Sequence, residues 1–364
     1  MIYLKEFDSH ASYETEVNVG GVDINLPNVS YCNDVNDVHF NPYNLIEFYV
    51  GEITGTTPQT VKIYTNRSTS VDVQVSKGNK WYSYVLPKDK GLYKIEGDSV
   101  KKVAVKADIN TNDNTIIIPT STVEASFKGS NTSNVTDMGG MFTSCDVLTS
   151  LDLTNFDTSN VTDMYIMFEG CNGLTSLTLS SFDTSNVTNM GEMFEGCSGL
   201  TYLDLSNFKT SKVTRMSNMF KNCTSLTSLT LSSFDTSNVT DMSYMFDSCS
   251  GLPSLDLSNF KTSNVTHMNS MFNGCNKLTS LDLRGWDASK VATMTSMFYG
   301  CKSLASLDLS GWDTSKVATM TSMFSGCTSL KTIRMASCSE ETRTKIEEAL
   351  TAAGIKDNVE IKTT

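Results

Sequence analysis

One spacing governs this chain. The strings FDTSNVTDM, FDTSNVTNM, FKTSKVTRM, FDTSNVTDM and FKTSNVTHM begin at Phe156, Phe182, Phe208, Phe234 and Phe260. WDASKVATM and WDTSKVATM follow at Trp286 and Trp312, and every step is 26 residues. An earlier copy near Ser130 keeps NTSNVTDM without the leading aromatic, which makes eight copies over residues 127–338. A fixed period of this size predicts a solenoid. A single unit cannot bury its apolar face alone, whereas stacked neighbours cover one another.

Each copy has three parts. Val239, Met242, Met245, Phe246 and Cys249 carry the first, V-x-x-M-x-x-M-F-x-x-C. Its Met, Met, Phe and Cys recur at i, i+3, i+4 and i+7, a spacing that predicts one face of a short helix. Leu252, Leu255 and Leu257 form L-x-x-L-x-L, whose alternation predicts a short strand with one buried face. A Ser/Asn turn then returns the chain through the aromatic.

L-x-x-L-x-L at this period is a leucine-rich-repeat signature. The full pattern, with FDTSNVTDMSYMFDSC ahead of the leucines, resembles the BspA-like leucine-rich repeats of bacterial surface proteins, which include a mycoplasma-type group. The resemblance implies a horseshoe solenoid used for adhesion, with no catalytic residues. Such surface proteins normally carry an export signal and an anchor. Neither is evident here, and the first twenty residues hold Glu6, Asp8, Glu14 and Glu16 rather than an apolar segment.

The expected fold class is an α+β repeat. A leucine-rich-repeat solenoid of eight 26-residue coils (127–338) follows an extended N-terminal docking segment (1–44) and a small all-β domain (45–126), and ends in a C-terminal cap (339–364). The runs IEFYVGEI, VKIYT, VDVQV, WYSYVL, LYKIEG, VKKVAVK and NTIIIP suggest a β-sandwich or barrel. DINTNDN (Asp108–Asn114) reads as a hairpin or linker loop. In the cap, Ser339 is the expected N-cap, Ile346, Leu350 and Ala353 share a face, and Gly354 is the stop. NVEIK offers a final strand.

LPNVSYCNDVNDVHFNPY (Leu26–Tyr43) is similar to an opening stretch of virion structural proteins of crAss-like phages that infect Bacteroidales. That resemblance implies a virion assembled in the host cytoplasm. The N-terminal segment would bind other virion proteins, and the repeats would bind a glycan or protein on the host surface. The function expected is thus a non-enzymatic phage appendage of fibre or receptor-binding type, alone or as a homo-oligomer. The alternative is a BspA-like adhesin at a bacterial cell surface.

Charge narrows the partners. The net charge is −12, and no basic run exceeds Lys101-Lys102. A nucleic-acid or anionic-membrane surface would need clustered cations. No run reaches the length of a membrane-spanning helix. No H-E-x-x-H, G-x-S-x-G, P-loop or C-x-x-C occurs, so neither an enzyme nor a cofactor is expected.

Three sets of residues invite a sharper reading. The paired Met and single Cys of each copy offer soft ligands for Cu(I). Their shared face with Phe predicts core packing instead, with reduced thiols and no metal. The strand position between the last two leucines reads Asp152, Thr178, Asp204, Thr230, Asp256, Asp282 and Asp308. It is an exposed ladder that suits Ca²⁺ or a cationic ligand, or is simply a solvated acidic face. Ser243, Tyr244, Asp247 and Ser248 vary between copies and are expected to face outward. Tyr165, Tyr244, Asp247 and Tyr299 are accordingly candidate binding residues. The N-V-T triplets at Asn134, Asn160, Asn186, Asn238 and Asn264 are formal glycosylation sequons, but their place in the repeat predicts turn residues. Asp157, Asp183, Lys209, Asp235, Lys261, Asp287 and Asp313 form an expected charge ladder that sets register.

Overall fold

The computed structural model describes residues 16–19, 22–25, 44–53, 57–87 and 89–364. The stretch Leu26–Tyr43, on which the virion resemblance rests, lies outside the described residues. The N-terminal part contains β1 (Glu16–Val19), β2 (Val22–Asn25), β3 (Leu45–Val50), β4 (Gln59–Tyr64), β5 (Ser70–Val75), β6 (Lys80–Val85), β7 (Lys94–Glu96) and β8 (Val100–Lys106). Period-2 patterning explains them: Ile46, Phe48 and Val50 alternate inward along β3. β3 pairs antiparallel with β6 and β8, and a separate sheet has the order β5-β4-β7. Buried residues of both sheets join one continuous core with the repeats.

The sheet then runs on into the solenoid. β9 (Glu124–Ser126) pairs parallel with β8 on one side and with β10 (Ser150–Asp152) on the other. The boundary expected after residue 126 therefore falls inside a continuous sheet. DINTNDN is a solenoid turn rather than a hairpin. Asp108 bridges Asn131 in parallel, and the Asn112 side-chain oxygen accepts the Thr136 N–H at 2.7 Å. NTIIIP forms no strand. It lies between coils, with Ile95 N–H donating to Ile117 and Ile117 N–H to Met141. This stretch is a shorter coil stacked ahead of the first repeat.

Further strands are β11 (Tyr202–Asp204), β12 (Ser228–Thr230), β13 (Ser280–Asp282), β14 (Ser306–Asp308) and β15 (Thr332–Arg334). Adjacent coils pair in parallel and in register, so Leu281 lies beside Leu307 and Leu307 beside Ile333. Residues 254–256 form no strand. Pro253 precedes them and lacks the N–H with which Thr227 and Thr201 each bond the coil before.

The segment expected to be helical is a run of tight turns. Met245 N–H bonds the Met242 carbonyl and Cys249 N–H bonds the Phe246 carbonyl. The third residues of these turns, Tyr244 and Ser248, have φ of 60° and 61°. That is the type II turn, and the positive φ stops any helix. Alternate N–H groups instead point along the stack: Met242, Tyr244, Phe246 and Ser248 donate to His267, Asn269, Met271 and Asn273 of the next coil. Inside, Phe142, Phe168, Phe194, Phe220, Phe246 and Phe272 stack with centroids 5.6–5.7 Å apart.

The last coil is capped by α1 (Glu340–Ala352). Ser339 accepts the Thr342 N–H, and Glu340 and Glu341 occupy the first turn. Ile346 and Leu350 are buried, and Gly354 at φ 71° follows the helix. β16 (Glu360–Lys362) adds a parallel strand to β15. Among the described residues no helix is long and apolar enough to cross a membrane.

Candidate binding surfaces

Met242, Met245, Phe246 and Cys249 are fully buried, as are their equivalents in most coils. Each thiol from Cys171 to Cys327 donates to the carbonyl of the turn Phe in the preceding coil: Cys249 to Phe220 at 3.0 Å, Cys327 to Phe298 at 2.9 Å. Burial pushes the Cys275 thiol up to about 12 and that of Cys249 well above its ordinary value. Such sulfurs stay protonated at neutral pH, whereas a metal ligand or a nucleophile must be a thiolate. The nine described cysteines are unpaired and buried. Among the described residues no three His, Cys, Asp or Glu side chains come together as a metal cluster.

A second interior ladder carries no apolar signal and escaped the sequence reading. Thr236 is buried; its hydroxyl donates to the Lys261 carbonyl at 2.8 Å and accepts the Lys261 N–H at 2.8 Å. Thr132, Thr158, Thr184, Thr210 and Thr262 repeat this arrangement. The Thr that follows the variable Asp/Lys in nearly every copy was the available sign. The N-V-T asparagines are also structural: Asn238 donates to the Ser211 carbonyl of the preceding coil at 2.7 Å. Lys212 and Lys290, which replace Asn, reach the neighbouring Asn186 and Asn264 instead.

The strand ladder faces outward, with Thr178, Asp204, Asp256 and Asp282 exposed and Asp152, Thr230 and Asp308 half-buried. Its aspartates have a local task. Asp152, Asp204, Asp256, Asp282 and Asp308 each accept the N–H two residues on, at 2.9–3.1 Å. This closes the turn that leaves the strand. The bond from the Ser206 backbone holds Asp204 below the usual carboxylate range, and the Ser258 backbone does so for Asp256. Asp282 and Asp308 lie side by side in register. Arg284 and Arg334 offset that repulsion: Arg284 lies 2.5 Å from Asp282 and 3.6 Å from Asp308, and Arg334 3.9 Å from Asp308. In the turn ladder Lys209 and Lys261 pair with the preceding coil, each 3.4 Å from Asp183 or Asp235.

The variable positions divide. Tyr244 and Tyr299 are 38% and 48% exposed, and Tyr165 is half-buried beside Gly191. Asp247 and Ser243 are buried, each only 8% exposed, contrary to the exposed placement expected. They occupy the second position of type II turns, and Lys221 of the preceding coil lies near Asp247. Desolvation raises the Asp247 carboxyl, which Lys221 and the Ser248 hydroxyl partly offset. Lys221 itself bonds Glu195 at 2.8 Å and lies 5.8 Å above the Tyr244 ring. Sequence reasoning missed Tyr202, which is 51% exposed on the same strand face as Asp204. The period-2 rule places it there.

The repeat pattern matches a family model described as a Mycoplasma protein of unknown function, DUF285, over residues 114–230, 197–302 and 225–337. No curated protein matches the chain. A solved leucine-rich cell surface protein from Faecalibacterium prausnitzii A2-165 is 18% identical, with a TM-score of 0.23, over 81% of this chain and 97% of that one. A TLR13–ssRNA13 complex is 16% identical, with a TM-score of 0.28, over 71% of this chain and 43% of that one.

Proposed function

The chain belongs to the DUF285 family, whose model spans more than half of it, and on that premise we propose a non-enzymatic recognition scaffold, a BspA-like adhesin displayed at a bacterial cell surface. One observation carries this reading: the repeats separate an invariant interior from a variable exterior. Val, Met, Met, Phe and Cys recur inside, while the residue before the first Met, exposed or half-buried in every coil, runs Asp137, Asp163, Asn189, Arg215, Asp241, His267, Thr293, Thr319. Rigid stacking with varied exposed side chains is how a solenoid builds an extended binding surface. The partner proposed is a glycan or protein on another cell. The virion-appendage reading rests on Leu26–Tyr43, and no described feature favours it.

Binding of the purified protein to host-type epithelial cells tests the proposal. Saturable binding, weakened when Tyr202, Tyr244 and Tyr299 are replaced together by Ser, is the expected result. Non-saturable binding that ignores those substitutions would refute it.

A further inference from the structure

The acidic ladder changes sign at its C-terminal end. The last three coils and β16 enclose a shallow depression of about 450 Å³ on the strand face. Its charged lining is Asp282, Arg284, Asp308, Arg334 and Lys362, three cations over two carboxylates. Arg284 is committed to Asp282 through several hydrogen bonds. Arg334 is not so committed. It is half-exposed, approaches Asp308 only at 3.9 Å, and donates no side-chain hydrogen bond to any described residue. Its planar fork of donors is therefore free to take a carboxylate in bidentate fashion. Lys362, 3.4 Å from Glu360, stands in the next register position.

We propose that this depression binds the carboxylate of an acidic saccharide, with Arg334 as the principal contact and Arg284 and Lys362 flanking it. The inference rests on the recognition reading above and supplies its ligand class. Two observations favour a saccharide over an acidic peptide. Ser280, Ser306 and Thr332 lie in register in the same lining, a row of hydroxyls one strand spacing apart, about 4.8 Å, the scale of one pyranose unit. Leu281 and Leu307 turn into the core, so the depression has no apolar socket for a peptide anchor. The ladder pattern alone suited Ca²⁺ or a cationic ligand, or a solvated acidic face; the arginines of neighbouring coils make this end of it favour an anion.

Calorimetric titration of the full chain tests the assignment with sialyllactose and oligogalacturonate, against lactose, methyl-esterified oligogalacturonate and oligo-glutamate. At least one acidic saccharide should bind, more weakly at high salt, and its neutral counterpart should not. Arg334→Gln should weaken binding about tenfold or more, the loss of one charge-assisted pair. Asp308→Asn should tighten it, because a competing carboxylate is removed. Lys212→Gln, on a different ladder, should leave it unchanged. Equal binding of neutral sugars, preference for oligo-glutamate, indifference to Arg334→Gln, or no binding of any probe would overturn the inference. Cell binding that persists in Arg334→Gln would sink the inference and spare the adhesin reading. Saccharide binding without cell binding would do the reverse.

Discussion

At the residue scale, stability depends on polar groups that the hydrophobic pattern does not reveal. Thr236 satisfies both the N–H and the carbonyl of Lys261. Thr236→Val should cost about 1–3 kcal/mol, since it strands buried backbone groups. The reverse experiment exists in the chain, because Ala288 stands where other coils have Thr. Ala288→Thr should gain about 0.5–1.5 kcal/mol by giving Asp313 the partner that Lys261 has. Urea unfolding checks both. Asp247 offers a pH test. Its carboxyl is raised by burial, so its ionised form opposes folding. Folding is penalised above the raised value, and the penalty vanishes where Asp is protonated in both states. Asp247→Asn should therefore raise Tm at neutral pH and leave it unchanged near about pH 3. The turn-closing aspartates Asp204, Asp256 and Asp282 have the opposite sign. Their contribution is present above the unfolded value and is lost as pH falls through the lower folded ones.

At the element scale, the decisive unit is a type II turn repeated twice per coil. Its third residue needs φ > 0, which Gly140 and Gly196 adopt without strain. Ile166 has φ of 51° at the same position as Gly140, and a β-branched side chain is costly there. Ile166→Gly should raise stability by about 1 kcal/mol, read as a higher urea midpoint with unchanged slope. No change or a loss would mean that packing of the Ile side chain outweighs the strain. The i, i+3, i+4, i+7 pattern was legible, yet it could not tell helix from turns. Two successive three-residue turns return side chains to one face with the same spacing. Ser, Tyr, Glu and Ile at the left-handed position carry no glycine signal, because the hydrogen bonds to the next coil impose the conformation.

At the scale of the whole molecule, the array is quasi-one-dimensional, with each coil bonded to its two neighbours. The C-terminal end is closed by side chains of α1. The Thr342 hydroxyl accepts from the Thr314 backbone N–H at 3.2 Å, taking the role of a further Thr rung. Lys345 donates to the Thr314 and Val317 carbonyls at 2.9 and 3.2 Å. A Thr342→Val, Lys345→Met double variant should speed amide exchange in residues 312–338 and leave the first coils unaffected, because coupling in such a stack is between neighbours. Uniform acceleration along the chain would contradict that picture.

The sequence by itself determined the stack, its period, its inward-facing side chains and the closing signals at Ser339 and Gly354. A strict repeat of apolar positions admits only an arrangement in which each unit covers the next. Tertiary structure decided what depends on distances between coils. The backbone of residues 241–249 became turns because their N–H groups bond the following coil rather than their own. Asp247 lost its exposure because stacking sets the charged groups of preceding coils, Lys221 and Glu195, near it. The Asp282–Asp308 pair acquired a cationic setting because stacking brings Arg284 and Arg334, fifty residues apart in sequence, to either side of Asp308. Neighbours along the chain reveal the period, whereas neighbours across the stack set the charge of the surface, and only folding makes them neighbours.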